Sequence, residues 1–205
     1  MPRVMCAQYL GLSLGQATST VDWQVPAPPP GCGGFCASGV SPNASRVALA
    51  PAVQMEWRAA EWLGVDSELR FVPKGYATTQ PTLNVDYLEI PVLLRIGKLV
   101  NEHSPVGAFL EAGPAVAVRV ICEVKYNGIV GGCSNGTAYG QDYRTAWTDA
   151  SAIVGGGVAI RIQDNLLIAG ARYDWGLEDI GHEGQGVPTK NRSGLLYASW
   201  LWRLH

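Results

Sequence analysis

The segment VDYLEIPVLLRIG, residues 85–97, alternates between two kinds of side chain. Its even positions hold Asp86 followed by five apolar residues, Leu88, Ile90, Val92, Leu94 and Ile96. Its odd positions include Tyr87, Glu89, Leu93 and Arg95. Successive side chains of a β-strand point to opposite faces. The segment therefore predicts a strand with one apolar face and one face that carries charge.

This pattern does not show which face of the strand points to the inside of the barrel. In a soluble eight-stranded binding barrel of the lipocalin type, the apolar face would be the core, whereas in a membrane barrel it meets lipid and the charges line the lumen. Strands of about 10–13 residues are near the length that crosses a bilayer at a tilt. Aromatic residues at strand ends, with Trp57, Trp200 and Trp202 at one end and Tyr87 and Trp175 at the other, are typical of interfacial girdles. These features favour lipid outside.

The same alternation recurs along the chain and predicts eight strands. They are residues 8–17, 46–58, 65–77, 82–97, 105–121, 148–162, 165–177 and 192–204. The predicted fold is all-β, an eight-stranded antiparallel up-and-down transmembrane β-barrel of the outer-membrane type. Residues 8–205 are expected to form this single domain. Residues 1–7 are expected to be the remnant of a signal peptide, because VMCA before Gln8 resembles a cleavage site.

The predicted connections differ in length. Residues 18–45, 122–147 and 178–191 form long segments, whereas QDN at 163–165 is a tight turn. Short turns on one side and long loops on the other are the pattern of outer-membrane barrels. We therefore expect outer-membrane lipid around the strands and protein partners, if any, at the three long loops.

Charged residues on the polar faces predict a lumen network of ion pairs. Its predicted members are Glu56, Arg58, Glu68, Arg70, Lys74, Glu89, Arg95, Glu111, Arg119, Arg161, Arg172, Asp174 and Arg203. Glu89 and Arg95 lie on one strand about 20 Å apart, so each needs partners on other strands. Structural ion pairing is a more common role for such groups than catalysis.

Four cysteines form two local pairs, Cys32 with Cys36 and Cys122 with Cys133, in Gly-rich segments. Four cysteines allow three disulfide connectivities, of which local pairing is the simplest. Disulfides would indicate an oxidising compartment. A zinc site is the alternative, although no histidine lies near either pair.

Other classes of function find little support. A net charge of -2 without a basic stripe argues against nucleic-acid binding, and no apolar run is long enough for a transmembrane helix. His103, His182 and His205 fall in a turn, a loop and the terminus, away from any serine or cysteine on a polar strand face. We therefore predict no catalytic, cofactor-binding or metal-binding residues, no cofactor and no enzyme activity.

Several segments resemble one family over nearly the whole chain from Gln8. LNVDYLEIPVLLRIG, GAFLEAGPAVAV, IVGGGVAIRI, GARYDWGLEDI and KNRSGLLYASWLWRL occur in the order and spacing of PorT-like outer membrane β-barrels. The resemblance implies an eight-stranded barrel in the outer membrane of a Gram-negative bacterium. Some members of that family are linked to protein secretion.

The resulting hypothesis is a non-enzymatic closed scaffold that displays disulfide-stapled extracellular loops. It is a candidate for a role in secretion or surface interaction. The alternative within the membrane is a narrow channel or a small-ligand transport barrel. Eight strands leave an interior just wide enough for side chains, which favours the scaffold.

Overall fold

The computed structural model describes residues 7–23, 45–77, 82–100, 104–126, 129–132, 146–178 and 189–204. Within these ranges the chain forms nine β-strands. They are β1 (Ala7–Trp23), β2 (Ser45–Ala60), β3 (Leu63–Ala77), β4 (Thr82–Lys98), β5 (Val106–Tyr126), β6 (Ile129–Gly132), β7 (Thr148–Ile162), β8 (Asn165–Gly176) and β9 (Thr189–Leu204). No helix in the described part of the chain has the length and hydropathy required to cross a bilayer.

Eight of these strands close into a ring. Each pairs antiparallel with its neighbours in the order β1-β2-β3-β4-β5-β7-β8-β9, and β9 pairs back to β1. The predicted eight-stranded up-and-down barrel is therefore confirmed. β6 is a short addition that pairs only with the end of β5, inside the segment that we expected to be a long loop.

The two ends of the barrel differ. Residues 61–62 and 163–164 make tight connections at one end, where Gln163 adopts a left-handed backbone with φ of 57°. β1 begins and β9 ends at this same end, which we call the turn side. The predicted long connections leave from the opposite end, the loop side. They are shorter than expected, because β1 continues to Trp23 and β9 begins at Thr189.

The strands present their apolar face outward. On β4 the five apolar even positions are 39–48% exposed, whereas Glu89 and Arg95 are at most 1% exposed. The other barrel strands alternate in the same way. An exposed apolar face around a buried charged one suits lipid outside. The soluble interpretation, with the apolar face as core, is therefore wrong.

The loop-side part of the β3–β4 hairpin departs from this alternation. Residues 72–75 and 85–87 are buried at consecutive positions, so both faces of these segments are covered. The pairing of β2 with β3 ends at Ala52 opposite Arg70, next to Pro51, which has no N–H to donate. Beyond that point Ser19 on β1 donates to the Pro73 carbonyl at 3.2 Å. We call residues 72–77 and 82–87 the roof hairpin, because its β3 part contacts β1 at this point.

The roof hairpin also changes two expectations for β4. A bulge, in which Val120 on β5 has no partner, separates the pairs made by Asp86 and Tyr87. Tyr87, which we expected in an outer aromatic girdle, is fully buried with Lys74 Nζ 5.3 Å from its ring centroid. Asp86, which shares the parity of the apolar face, is 7% exposed and pairs with Arg46. Trp175 and Trp202 lie outward at opposite ends of the barrel, as expected for girdles.

Candidate functional site

The inward-facing charges gather into two groups along the barrel axis. The turn-side cluster consists of Glu56, Arg58, Asp66, Glu68, Arg95, Glu111 and Arg172, with Gln54 and Tyr197. The loop-side cluster consists of Arg70, Lys74, Glu89, Asp149 and Asp174, with Asn191 and Ser193. All are buried. Because a buried charge is costly unless it is paired and hydrogen-bonded, the contacts of each group decide what the lumen can do.

Arg95 lies at the centre of the turn-side cluster and joins β4 to three other strands. Its Nη1 is 2.6 Å from Glu56 Oε2 on β2, and its Nε is 2.8 Å from Glu111 Oε2 on β5. Its Nη2 is 3.2 Å from Asp66 Oδ2 on β3. A planar guanidinium suits several carboxylates at fixed angles, so one side chain ties four strands together.

Arg172 makes the second set of links and reaches across the lumen. It lies on β8, which is directly opposite β3 in the ring of eight strands. Its Nη1 is 2.8 Å from Glu68 Oε1 and its Nη2 is 3.0 Å from Asp66 Oδ2, both on β3. Its Nε is 2.5 Å from Glu111 Oε1 on β5. The ion pairs of Arg172 with Glu68 and Asp66 therefore span the interior from wall to wall.

Aromatic rings fill the space beside these guanidinium groups. The Arg95 Cζ atom lies 4.6 Å from the Phe109 ring centroid, and the Arg172 Cζ atom lies 4.3 Å from that of Tyr197. Tyr197 Oη also donates to Glu111 Oε1 at 2.9 Å. Such stacking stabilises a cation that has lost its water.

Glycines on the inner face make room for the rings. A Cβ atom at Gly170 would lie 2.7 Å from the Tyr197 ring, and one at Gly157 would lie 2.9 Å from the Phe109 ring. Gly157 ends the GGG run at 155–157, which lies within β7. This run therefore permits close packing, as glycine in a strand interior often does.

Lys74 is the centre of the loop-side cluster. Its Nζ atom lies 3.1 Å from Asp149 Oδ2, 3.3 Å from Glu89 Oε2 and 3.6 Å from Asp174 Oδ2. Arg70 pairs with Glu89 through Nη2. Asn191 Nδ2 donates to Asp149 Oδ2 at 2.9 Å. The contacts of Lys74 are longer than most of those around Arg95 and Arg172, and three carboxylates share this one ammonium group.

Most of the predicted lumen residues lie in these two clusters, and three do not. Arg119 is buried beside Trp147, with its Cζ atom 4.5 Å from the ring centroid. Arg161 lies at the turn side, where it donates to the Gln163 carbonyl and pairs with Asp164. Arg203, near the end of β9, is partly exposed.

Three buried carboxylates were missed by sequence reasoning. Asp66 lies on the same face of β3 as Glu68 and Arg70, so alternation alone could have assigned it to the lumen. Asp149 shares the inward parity of β7, but it lies next to the predicted strand boundary. Asp86 alternates with the outward-facing apolar residues of β4, but it is buried where it lies in the roof hairpin. The predicted lumen residues contain more bases than acids, whereas among the described residues the buried acids outnumber the buried bases.

Other predicted residues lie mainly outside the described ranges. Cys122 lies on β5 opposite Val85, and Cys32, Cys36 and Cys133 are outside the described residues. His103, His182 and His205 are outside them too. Among the residues that the structure describes, no three His, Cys, Asp or Glu side chains come together as metal ligands.

Known structures share this architecture. The crystal structure of Neisserial surface protein A has a TM-score of 0.55 and 16% identity, over 95% of this chain and 97% of that one. The outer membrane protein OprG from Pseudomonas aeruginosa has a TM-score of 0.52 and 10% identity, over 98% of this chain and 96% of that one. At these identities the likeness shows the fold alone.

Sequence comparison identifies the family. No curated protein has a significantly similar sequence. The family model described as outer membrane protein beta-barrel domain matches residues 11–181, well over half of the chain. The predicted location in the bacterial outer membrane is confirmed by this match together with the barrel neighbours. The chain belongs to the outer membrane protein β-barrel domain family.

Proposed function

We propose that this protein is a closed, non-enzymatic scaffold that holds three long loops at the cell surface for interaction with other molecules. The observation that carries the proposal is the path of Arg172, which pairs with Glu68 and Asp66 on the opposite wall of the barrel. Ion pairs that join opposite walls of the lumen leave no continuous path for a hydrated ion along the described strands. The barrel therefore serves as a support.

The energetics of the turn-side cluster support a closed lumen. Opening it would separate Arg95 and Arg172 from carboxylates at 2.5–3.2 Å, all in a water-poor interior. Breaking a buried pair by removing one partner typically costs about 3–5 kcal/mol. Both arginines share Asp66 and Glu111, so the pairs would have to break together. Thermal motion alone would then rarely open the barrel.

The ends of the strands support display of the loops. The segments proposed as display loops, 18–45, 122–147 and 178–191, all connect strands at the loop side. Short turns of outer-membrane barrels face the periplasm and longer connections face the outside. Residues 24–44, 133–145 and 179–188 lie outside the described residues, so the proposal rests on where the strands end.

Disulfide bonds within the loops are part of the proposal. Cys122 lies near the loop-side end of β5, beside the Gly-rich segment that carries Cys133 in the sequence. We expect Cys32 to pair with Cys36 and Cys122 with Cys133. Mass spectrometry of the non-reduced protein should find peptides linked within each pair. Free thiols at Cys32, Cys36 and Cys133 together with bound zinc would contradict this pairing.

The finer family placement is also proposed. The segments around residues 85–97 and 170–180 support a place among PorT-like barrels, within the broader family shown above. A link to protein secretion would follow from that place. It would be tested by whether deletion of the gene changes the set of proteins that cells export.

Single-channel recording in a planar bilayer tests the closed scaffold. We expect no stable unitary current from the purified, folded protein. A double variant, Arg95→Ala with Arg172→Ala, is the positive control, because it removes the cations that span the lumen. A stable unitary current from the unchanged protein would overturn the proposal in favour of the narrow channel.

A further inference from the structure

Buried polar atoms that lack a hydrogen-bond partner are concentrated in the loop-side cluster. Among the described residues they include Arg70 Nε and Nη1, Glu89 Oε2, Asp149 Oδ1 and Asp174 Oδ1 in this cluster, with Tyr87 Oη beside it. The turn side has two, Gln54 Oε1 and Ser199 Oγ. Arg70 and Asp174 are only 3% and 4% exposed. In the turn-side cluster, by contrast, every nitrogen of Arg95 and Arg172 has a carboxylate partner. Buried polar groups are normally bonded to protein or to ordered water.

A small cavity lies at the same place. Its lining includes Arg70, Asp174 and Ser193, together with Ala17, Val72, Leu195 and Arg172 at its turn-side edge. It lies between the wall formed by β1 and β9 and the loop-side part of β3, just above the point where the β2–β3 pairing ends. The cavity has room for about one water molecule, the smallest guest that can bridge buried polar groups.

We propose that the loop-side half of the lumen binds ordered water, with one molecule held in this cavity between Arg70 and Asp174. The guest has to accept hydrogen bonds from the unpartnered Arg70 nitrogens and donate one to Asp174 Oδ1. Water does both. An anion would lie against the Asp174 carboxylate, and the nitrogens of Arg172 are already paired with other carboxylates. A metal cation would lie against the guanidinium groups of Arg70 and Arg172, so both kinds of ion are disfavoured. The turn-side half is drier, because every nitrogen of Arg95 and Arg172 already bonds to a carboxylate.

Hydroxyl-radical footprinting by X-ray radiolysis of the folded protein in liposomes tests this proposal. A bound water molecule yields a radical that oxidises adjacent side chains even where bulk water does not reach. Leu195 lines the cavity, and Leu201 is a matched control on the same strand, also buried but among turn-side residues. We expect oxidation of Leu195 to exceed that of Leu201 several-fold.

A cavity-filling variant sharpens the test. Ser193→Val adds apolar volume at the cavity and leaves every charged residue in place. We expect it to reduce oxidation of Leu195 to the level of Leu201. Equal oxidation of the two leucines in the unchanged protein would overturn the proposal, as would oxidation of Leu195 that persists in Ser193→Val. The closed scaffold is tested separately by conductance, so each proposal can fail alone.

Discussion

The two charge clusters of the lumen stabilise their buried charges in different ways. Around Arg95 and Arg172, two guanidinium groups supply a directed N–H for each neighbouring carboxylate, and aromatic rings cover their faces. Around Lys74, one ammonium group attracts three carboxylates at 3.1–3.6 Å, and several polar atoms have no protein partner. Burial of charge alone therefore does not complete a hydrogen-bond network. The number and direction of the N–H donors determine whether each buried carboxylate is paired.

The barrel wall gives a reason for the difference. On the turn side every strand pairs with both neighbours, so the inner side chains lie at fixed separations. On the loop side β2 no longer pairs with β3 beyond Ala52, and the roof hairpin is held instead by side chains such as Ser19 and Arg46. Side chains there cannot all reach one another, and water can complete the bonds at modest cost.

Removal of one cation from each cluster gives the largest expected effect. Arg172→Met leaves Glu68 and Asp66 with one cation fewer in a dry interior. It should lower the free energy of unfolding by about 3–5 kcal/mol. Lys74→Met should cost clearly less, because water can solvate Asp149 and Asp174. Urea unfolding in liposomes measures both. A larger loss of unfolding free energy for Lys74→Met than for Arg172→Met would contradict the difference between the two clusters.

Introducing a cation on the lipid face gives a reference for these losses in the free energy of unfolding. Val92 faces outward near the middle of β4, so Val92→Arg should destabilise by about 2–4 kcal/mol. Val106, also outward but at the turn-side start of β5, is the matched control, and arginine there should cost about 0–1 kcal/mol. Equal penalties at the two depths would contradict the outward assignment.

Leu93 corrects the control that the sequence suggests for this experiment. Alternation alone predicts that arginine at Leu93, on the lumen side of β4, is milder than arginine at Val92. Leu93 is fully buried and packs with Ala115 and Ile153. Arginine at Leu93 should therefore be at least as disruptive as at Val92, because the added volume and charge have no space there.

A methyl group tests the packing of the turn-side cluster. Gly170→Ala places a Cβ atom against the Tyr197 ring, which stacks on Arg172 and donates to Glu111. We expect a loss of about 1–3 kcal/mol, typical of overpacking. Gly194→Ala meets nothing within 4 Å and should be nearly neutral. Equal effects in the same unfolding assay would mean that Tyr197 moves freely.

The alternation of β4 made the fold predictable. Period two places every second residue on one face, so the strands and their inward charges follow from the sequence. The lengths of the connections then distinguish the turn side of the barrel from the loop side. Residues such as Glu89, Arg95 and Glu111 could therefore be assigned to the lumen from the sequence alone.

The partners and the roof hairpin could not be predicted in this way. Which carboxylate meets Arg172 depends on the register around the closed ring, and Glu68 lies more than a hundred residues earlier in the chain. The burial of Tyr87 and Asp86 depends on a bulge and on the end of the β2–β3 pairing, for which the visible signal is Pro51. Alternation carries no information about such breaks.

A double-mutant cycle between Arg172 and Glu68 tests the central claim most directly. These residues lie on opposite walls of the barrel, so their coupling exists only if charges from both walls meet in a closed lumen. Unfolding free energies of Arg172→Met, Glu68→Gln and the double variant should give a coupling toward the upper end of the usual 0.5–3 kcal/mol, about 2–3 kcal/mol. Strictly additive losses would contradict the account.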